Sequence, residues 1–208
     1  MATTTDDRVH TGHVRDTTPY AWPWNGILDA HRTAVLVIEA PDAADIDDER
    51  SRHAAVVVAT LRRAGAFAIR VVTRHPDRRS GRAGPVPAGY GAGGFGVIPT
   101  DDAVEAQGID GFFGGPLESR LRAAGIERLV LVGVWLETGV HSTMRTANDM
   151  GFECLVVVDA CRPGDEEIVA NSVSMIEMSG GIFGAVGVTA RVVEAFAREE
   201  GVSAWVSA

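Results

Sequence analysis

One acidic residue that could transfer protons ends an apolar run. Glu39 closes the run TAVLVIEA at residues 33–40, and Asp42 follows three positions later. A carboxylate at the carboxyl end of a buried strand can point into a crevice, where its surroundings tune it for general acid or base catalysis. A strand-end acid is also often only a solvated charge. Position alone therefore makes Glu39 a candidate and no more.

The most informative segment for chemistry covers residues 129–161, LVLVGVWLETGVHSTMRTANDMGFECLVVVDAC. Thr138 can cap a helix that starts at Gly139. The amides of Gly139, Val140 and His141 would then point into the crevice as an anion or oxyanion site. We interpret His141 as a surface or interface histidine in preference to a general base.

Other catalytic signatures are weak. The string GAGGFG at residues 91–96 matches G-x-G-x-x-G but lacks the strand–turn–helix context of dinucleotide binding, so we interpret residues 74–96 as a loop or lid. The histidines lack ligand-like spacing with carboxylates or thiols, and neither a metal nor another cofactor is predicted. Ser142 and Thr143 lie outside any G-x-S-x-G elbow, so a serine nucleophile is not predicted either.

These residues must be positioned by alternating strands and helices. Apolar runs predict strands at residues 33–40, 66–73, 128–134, 153–160 and 183–188. Helical spacing predicts helices at about 47–65, 116–125, 139–150, 166–178 and 189–200. This alternation implies a three-layer α/β/α sandwich with a mostly parallel, Rossmann-like sheet. Ligands of such sheets bind beyond the carboxyl ends of the strands.

Composition narrows the classes of protein. The 208 residues do not divide into two apolar blocks, which favours one domain at residues 19–208 after a flexible N-terminal arm at residues 1–18. The formal net charge of −9 disfavours binding to nucleic acid or to an anionic membrane. No apolar run reaches the roughly 20 residues of a membrane span. With only Cys154 and Cys161 present, a cytoplasmic location is predicted.

From residue 20 to residue 196 the chain resembles the isochorismatase-like cysteine hydrolases, especially the branch that contains ureidoacrylate amidohydrolases and biuret hydrolase. The motifs that carry the resemblance are PYAWPWNGILDAHRTAVLVIE, GIDGFFGGPLESRLRAAGIERLVLVGV, GVHSTMRTANDMGFECLVVVDAC and IEMSGGIFGAVGVTARVVEAF. The resemblance implies the isochorismatase-like hydrolase fold and a small-molecule ligand or substrate.

The resemblance also implies a degenerate catalytic centre. Amide-cleaving members use a Cys as nucleophile, an Asp that takes its proton, and a Lys that keeps the Asp ionised. Their motifs place Glu39 at the Asp position, Ala106 at the Lys position and Gly139 at the Cys position. Amide hydrolysis through a thioester is therefore not expected. Isochorismatases proper are similar in having Gly at this position, and they cleave a vinyl ether through protonation by the strand-one acid.

Other parts of the site are implied by the same resemblance. It places a cis peptide between Val134 and Trp135 and gives the amides of Trp135 and Gly139 the role of oxyanion donors. It also implies a homo-oligomer, either a dimer or a tetramer. The pocket residues expected from it are Phe112, Trp135, Leu136 and Glu137.

Two functions remain open. The first is a small-molecule enzyme without a covalent intermediate, in which Glu39 is the general acid or base for hydrolysis, elimination, isomerisation or cyclisation, possibly in specialised biosynthesis. With no lysine beside it, Glu39 would be expected to favour its protonated form. The second is a catalytically inactive pseudoenzyme that binds a metabolite or a partner subunit, because relaxed selection also removes catalytic groups.

Overall fold

A six-stranded parallel sheet forms the centre of the computed structural model, which describes residues 10–40, 48–74 and 94–203. The strands are β1 His10–Thr11, β2 Ile27–Leu28, β3 Thr33–Glu39, β4 Phe67–Val72, β5 Asp102–Glu105, β6 Arg128–Val134, β7 Glu153–Arg162 and β8 Ala185–Gly187. β1 and β2 pair antiparallel, and the other six are ordered β5-β4-β3-β6-β7-β8. The strand order reverses between β3 and β6.

Helices cover both faces of this sheet. They are α1 Glu49–Arg63, α2 Leu117–Ala123, α3 His141–Asp149, α4 Val169–Glu177 and α5 Thr189–Ser203. Short 3₁₀ turns lie at Ala30–Arg32 and Glu166–Ile168, and one π-helical turn at Leu136–Val140 precedes α3. In the described part of the chain, no helix is long and apolar enough to cross a membrane.

Two buried clusters explain why the sheet is covered on both sides. Alternate residues of β3 point to opposite faces, as expected for a strand. Val35 and Val37 pack in the cluster that contains apolar residues of α1 and α5, whereas Leu36 and Ile38 pack in the cluster that contains those of α2, α3 and α4. The predicted three-layer α/β/α sandwich is confirmed.

Close packing at the reversal point depends on a glycine. Gly133 of β6 has a φ of 133°, and a Cβ there would lie 2.1 Å from the carbonyl oxygen of Ile38 on β3. No other residue type fits this backbone and this separation. The carboxyl ends of β3 and β6 are therefore held together, and the residues that follow them share one edge of the sheet.

Residues 10–18 differ from the expected flexible arm. β1 pairs with β2, Val14 is fully buried, and Thr18 bridges Val186 of β8. Residues 10–18 are otherwise polar, so their composition gave no indication that Val14 is buried. Residues 1–9 lie outside the described residues.

Two further differences concern the middle of the chain. The strand β5 was not predicted, because its sequence DAVE has only one buried side chain, Val104. Most of the predicted loop at residues 74–96 lies outside the described residues, as do the first half of the glycine string at 91–96 and the acid Asp42.

Candidate functional site

Glu39 is the last residue of β3, at the point where the strand order reverses. Its side chain is 8% exposed, and its Oε2 accepts a hydrogen bond of 2.5 Å from Nε of Arg70. Its backbone carbonyl accepts from the amide and the hydroxyl of Thr73. In open parallel sheets, ligands bind at such reversal points. The structure therefore places a buried, oriented carboxylate where a ligand is expected.

Arg70 changes the expected electrostatics of this carboxylate. It lies on β4 opposite Val37, two residues before the pair formed by Val72 and Glu39. A guanidinium that donates to a carboxylate stabilises the ionised form of the acid. The expectation that Glu39 lacks a cationic neighbour is therefore wrong. Arg70 is the one charged residue in the strand FAIRVV, which makes it conspicuous in the sequence without showing its partner.

The position expected to hold a lysine cannot supply a charge. Ala106 is 1% exposed, and its amide donates to the carbonyl of Val72. The chain contains no lysine at any position. No lysine of this chain can therefore act on Glu39, whereas the guanidinium of Arg70 is in contact with it.

The turn after β6 has the backbone form expected from the resemblance. The peptide between Val134 and Trp135 is cis, as predicted. The carbonyl of Trp135 then accepts hydrogen bonds from the amides of Thr138 and Val140, which starts the π-helical turn. This turn carries the chain from β6 directly into α3.

Two of the three amides that were expected to form an anion site at this helix are already hydrogen-bonded within the chain. The amide of Val140 donates to Trp135 and that of His141 to Leu136, so neither is free for a ligand. Thr138 does not cap the helix: its hydroxyl is buried and has no hydrogen-bond partner in the described part of the chain. The prediction for the Val140 and His141 amides is therefore wrong, because the π-helical turn begins three residues before Gly139.

Gly139 is buried where the resemblance implies a nucleophile. A Cβ at this position would lie 3.0 Å from the carbonyl oxygen of Val134 and 3.3 Å from Cγ2 of Ile38. Its own carbonyl accepts a 2.7 Å hydrogen bond from the Thr143 hydroxyl. The position is close-packed and carries no reactive group.

Neither cysteine of the chain can replace that nucleophile. Cys154 and Cys161 are fully buried within β7, and burial raises the pKa of both thiols. A thiol reacts as its thiolate, which burial in apolar surroundings suppresses. Both cysteines are therefore packing residues.

The expected pocket residues divide between the two faces of the sheet. Trp135 packs in the cluster that contains Val37, whereas Phe112 and Leu136 pack in the cluster that contains Ile38. The Oε1 atom of Glu137 accepts a 2.8 Å hydrogen bond from the amide of Gly164. Its Oε2 is buried without a hydrogen-bond partner among the described residues. Their joint contribution to one pocket stays a prediction.

His141 is buried within the chain and is not the surface or interface residue that the sequence indicated. It is 6% exposed, its Nε2 lies 3.3 Å from Nε of Arg145, and its ring meets Phe183 edge-on. Burial, and then the charge of Arg145, lower the pKa of His141. The imidazole is therefore a neutral packing group near pH 7.

Arg162 is a second arginine that sequence reasoning missed. Its side chain is 10% exposed at the carboxyl end of β7, and Nη2 donates to Asp48 over 2.8 Å. Nη1 donates to the carbonyl of Gly94, and the guanidinium lies 5.0 Å from the Phe95 ring. Arg162 thus ties the segment at Gly94 and Phe95 to the start of α1.

Asp48 accepts the hydrogen bond from Arg162 at the start of α1. It is the N-cap of α1 and forms a reciprocal capping box with Ser51. Burial raises the pKa of Asp48, but hydrogen bonds from Ser51 and Arg162 outweigh it, so the net pKa is lowered. Within residues 10–40, 48–74 and 94–203, no group of three or more His, Cys, Asp or Glu side chains could hold a metal ion.

Comparisons with known proteins agree with this architecture. Residues 93–191 match the model of the isochorismatase domain. The uncharacterized isochorismatase family protein YwoC of Bacillus subtilis is 28% identical over 158 residues, which are 67% of this chain and 82% of that protein. YecD of Escherichia coli O157:H7, another uncharacterized member, is 34% identical over 82 residues, which are 39% of this chain and only 44% of YecD.

A solved structure has a similar fold. An isochorismatase family protein from Burkholderia thailandensis superposes with a TM-score of 0.64 at 22% identity, covering 80% of this chain and 96% of that chain. At this identity the likeness shows the fold alone. Together, the matches show that this chain is similar to isochorismatase family proteins in sequence and in fold. The branch and the catalytic substitutions stay predictions from the sequence.

Proposed function

We propose that this protein is a small-molecule enzyme in which Glu39 transfers protons and no covalent intermediate forms on the chain. The observation that carries the proposal is the buried Glu39 carboxylate at the strand reversal, held by Arg70 over 2.5 Å. Burying a carboxylate is costly unless it is paired and hydrogen-bonded. A carboxylate kept at a ligand-binding position despite that cost is a candidate for acid–base chemistry.

The ion pair determines the order of the proton transfers. Because Arg70 stabilises the ionised form, Glu39 acts first as a base that takes a proton from water or from the substrate. The protonated Glu39 then returns the proton to a leaving group or to another atom of the same substrate. Hydrolysis, elimination, isomerisation and cyclisation all use this sequence, and none of them needs a thiol.

Backbone donors complete the proposed site. The amides of Trp135 and Gly139 would stabilise negative charge that develops on a substrate oxygen. Such donors do not depend on side chains, so they are compatible with glycine at position 139. The proposal also includes a cytoplasmic location and association into a homo-oligomer, for which the exposed side chains of Trp24, Met178 and Ile182 offer surface.

The test compares conversion by the wild type and by Glu39→Gln across a set of small hydrolysable and isomerisable metabolites, followed by mass spectrometry. Loss of the proton-transfer group is expected to lower turnover at least about 100-fold while folding and ligand binding persist. Glu118→Gln is the matched control, because Glu118 is half-exposed on α2 and pairs with Arg122 of the same helix. Equal turnover in all three proteins would contradict the proposal.

One observation favours a second candidate, a pseudoenzyme that binds a metabolite or a partner subunit. The lysine position is filled by the buried Ala106 methyl, and the nucleophile position by the close-packed Gly139. The same experiment distinguishes the two functions. Ligands that stabilise the wild type and Glu39→Gln equally, with no conversion by either protein, would support the pseudoenzyme.

A further inference from the structure

We propose that a cavity at the amino edge of the sheet binds a small organic cation, with Tyr20 and Trp24 against its face and Glu153 as the counter-charge. All three residues line this cavity, which has a volume of about 460 Å³. Sites for small molecules typically have volumes of roughly 300–1,000 Å³. This second site is separate from Glu39 and does not need the acid–base reaction proposed above.

The cavity lies at the opposite edge of the sheet from the strand reversal. Glu153, the first residue of β7, pairs with Arg128 of β6, which pairs with Thr33, the first residue of β3. Glu39 ends β3 six residues after Thr33, which corresponds to roughly 20 Å along a strand. A ligand in the cavity and a ligand beside Glu39 therefore occupy different places.

Trp24 lies exposed on a turn that is fixed to the sheet. The amide of Gly26 donates to the carbonyl of Pro23 over 2.8 Å, which closes the turn. The amide of Trp24 donates to Oε1 of Glu153 over 2.5 Å, which holds the turn against β7. Trp24 is nevertheless 79% exposed, although tryptophan is on average a highly buried residue. The turn therefore holds an indole in solvent at the edge of the cavity.

Tyr20 and Glu153 lie side by side in the same cavity. Burial, and then the charge of Glu153, raise the pKa of the Tyr20 phenol. A Cβ on Gly181 would lie 3.1 Å from Cδ1 of Tyr20, so this ring packs on glycine backbone. The Glu153 side chain is 24% exposed. A neutral aromatic ring and a carboxylate are thus both within reach of one ligand.

The rest of the cavity wall leaves room for a ligand and supplies apolar surface. A Cβ on Gly151 or Gly180 would have no described atom within 4 Å, so both of these lining glycines face open space. Met178 and Ile182, on either side of Gly180 in the chain, are 79% and 73% exposed. Exposed apolar surface around a cavity is typical of binding sites, and it suits the alkyl groups of an organic ammonium.

The charges at the cavity favour a cation. A cation over the face of a tryptophan or tyrosine ring is attracted by the ring quadrupole, and quaternary ammonium groups are commonly bound in this way. Among the described residues that line the cavity, none is cationic. Nε of Arg128 lies 3.6 Å from Oε2 of Glu153, but its Nη1 also lies 3.8 Å from Oε2 of Glu127. This buried guanidinium is therefore divided between two carboxylates.

Calorimetric titration with choline and with 3,3-dimethylbutan-1-ol tests the proposal, because these probes have the same shape and differ in charge. Choline is expected to bind the wild type at least about 10-fold more tightly than the neutral alcohol does. Trp24→Leu keeps an apolar side chain without an aromatic face, and Glu153→Gln keeps an oxygen that can accept from the Trp24 amide. Each substitution is expected to weaken choline binding about fivefold or more.

Phe113→Leu and Glu127→Gln are the matched controls for these two variants. Phe113 is 61% exposed and the side chain of Glu127 is 44% exposed, and neither residue lines the cavity. Both variants are expected to bind choline like the wild type. Glu39→Gln is expected to do the same, because it lies at the other edge of the sheet.

Several outcomes would overturn the cation site. These are equal affinity of the wild type for choline and the alcohol, and choline binding that is unchanged in both Trp24→Leu and Glu153→Gln. If Trp24→Leu dissociates an oligomer in sedimentation and still binds choline normally, this face belongs to a second copy of the chain. Choline binding that is lost in Glu39→Gln would place choline at the strand reversal. Lost turnover in Glu39→Gln, with no choline binding by the wild type, would refute the cation site and leave the acid–base role intact.

Discussion

Individual residues of this protein are tuned by burial and by the charges beside them. Glu39 is buried, and its carboxylate accepts a hydrogen bond from Arg70. Cys154 and Cys161 are fully buried, and burial, the largest effect on each thiol, raises its pKa. Burial, followed by the charge of Glu153, likewise raises the pKa of the Tyr20 phenol. These three groups are therefore neutral in the folded protein at pH values at which an unfolded chain would ionise them.

This difference predicts a loss of stability in alkali. In the unfolded chain the thiols ionise near their ordinary pKa of 9.0 and the phenol near 10.0, whereas in the folded protein they stay protonated to higher pH. Above pH 9 the unfolded state thus binds fewer protons, and ionisation favours unfolding. We expect the free energy of unfolding to change little from these groups below pH 9 and to fall above it, by at most about 1.4 kcal/mol per pH unit for each thiol.

Urea denaturation between pH 7 and pH 11 measures this effect, and the absence of lysine leaves that range free of lysine titration. A variant with Cys154→Ala and Cys161→Ala is the control. Its decline is expected to start near pH 10, where only the phenol contributes. A wild-type stability that stays constant to pH 11 would show that the thiols are not buried as described.

At the scale of elements, the site depends on how closely β3 and β6 approach. Six consecutive residues of each strand pair in register, from Thr33 with Arg128 to Ile38 with Gly133. The strand β7 shifts its register against β6 between Leu131 and Gly133. The irregularity and the positive φ of Gly133 fall at the same place, where the chain turns from the sheet into the cis peptide and the π-helical turn.

A methyl group at Gly133 is expected to be severely destabilising. The new Cβ would meet the Ile38 carbonyl oxygen at 2.1 Å on a backbone with φ of 133°. Strain and overpacking together would cost at least about 3 kcal/mol in the free energy of unfolding.

Gly125→Ala provides the comparison for Gly133→Ala in urea denaturation. Gly125 also has a positive φ, of 70°, but no atom lies within 4 Å of the position of its Cβ. Its substitution is expected to cost only about 1 to 2 kcal/mol. Equal destabilisation by the two substitutions would mean that β3 and β6 are not in this close contact.

At the scale of the whole molecule, the sheet could be predicted because its strands are long and apolar. The runs at β3, β6 and β7 have seven to ten residues and lie at the centre, so their pattern is unambiguous. The position of Glu39 followed from that pattern. β5 and the segment at residues 10–18 could not be predicted, since each is held by a single buried side chain, Val104 or Val14, in a polar surrounding.

The ion pair of the site could not be predicted from local sequence. Glu39 and Arg70 are 31 positions apart, and they meet only because β4 pairs with β3 in one particular register. The capping pattern at Thr138 was misleading for a related reason. It describes an ordinary α-helix start, whereas the carbonyl of Trp135 begins a π-helical turn that already uses the nearby amides.

Chemical rescue of Glu39→Ala tests the acid–base role of Glu39 most directly. Removing the side chain leaves the Arg70 Nε donor beside an empty space that formate can enter. We expect the turnover of Glu39→Ala to rise at least about 10-fold with formate and to saturate, while formamide has no effect and formate does not accelerate the wild type. Turnover of Glu39→Ala that stays at background over the whole range of formate, although substrate still binds, would contradict proton transfer by this carboxylate.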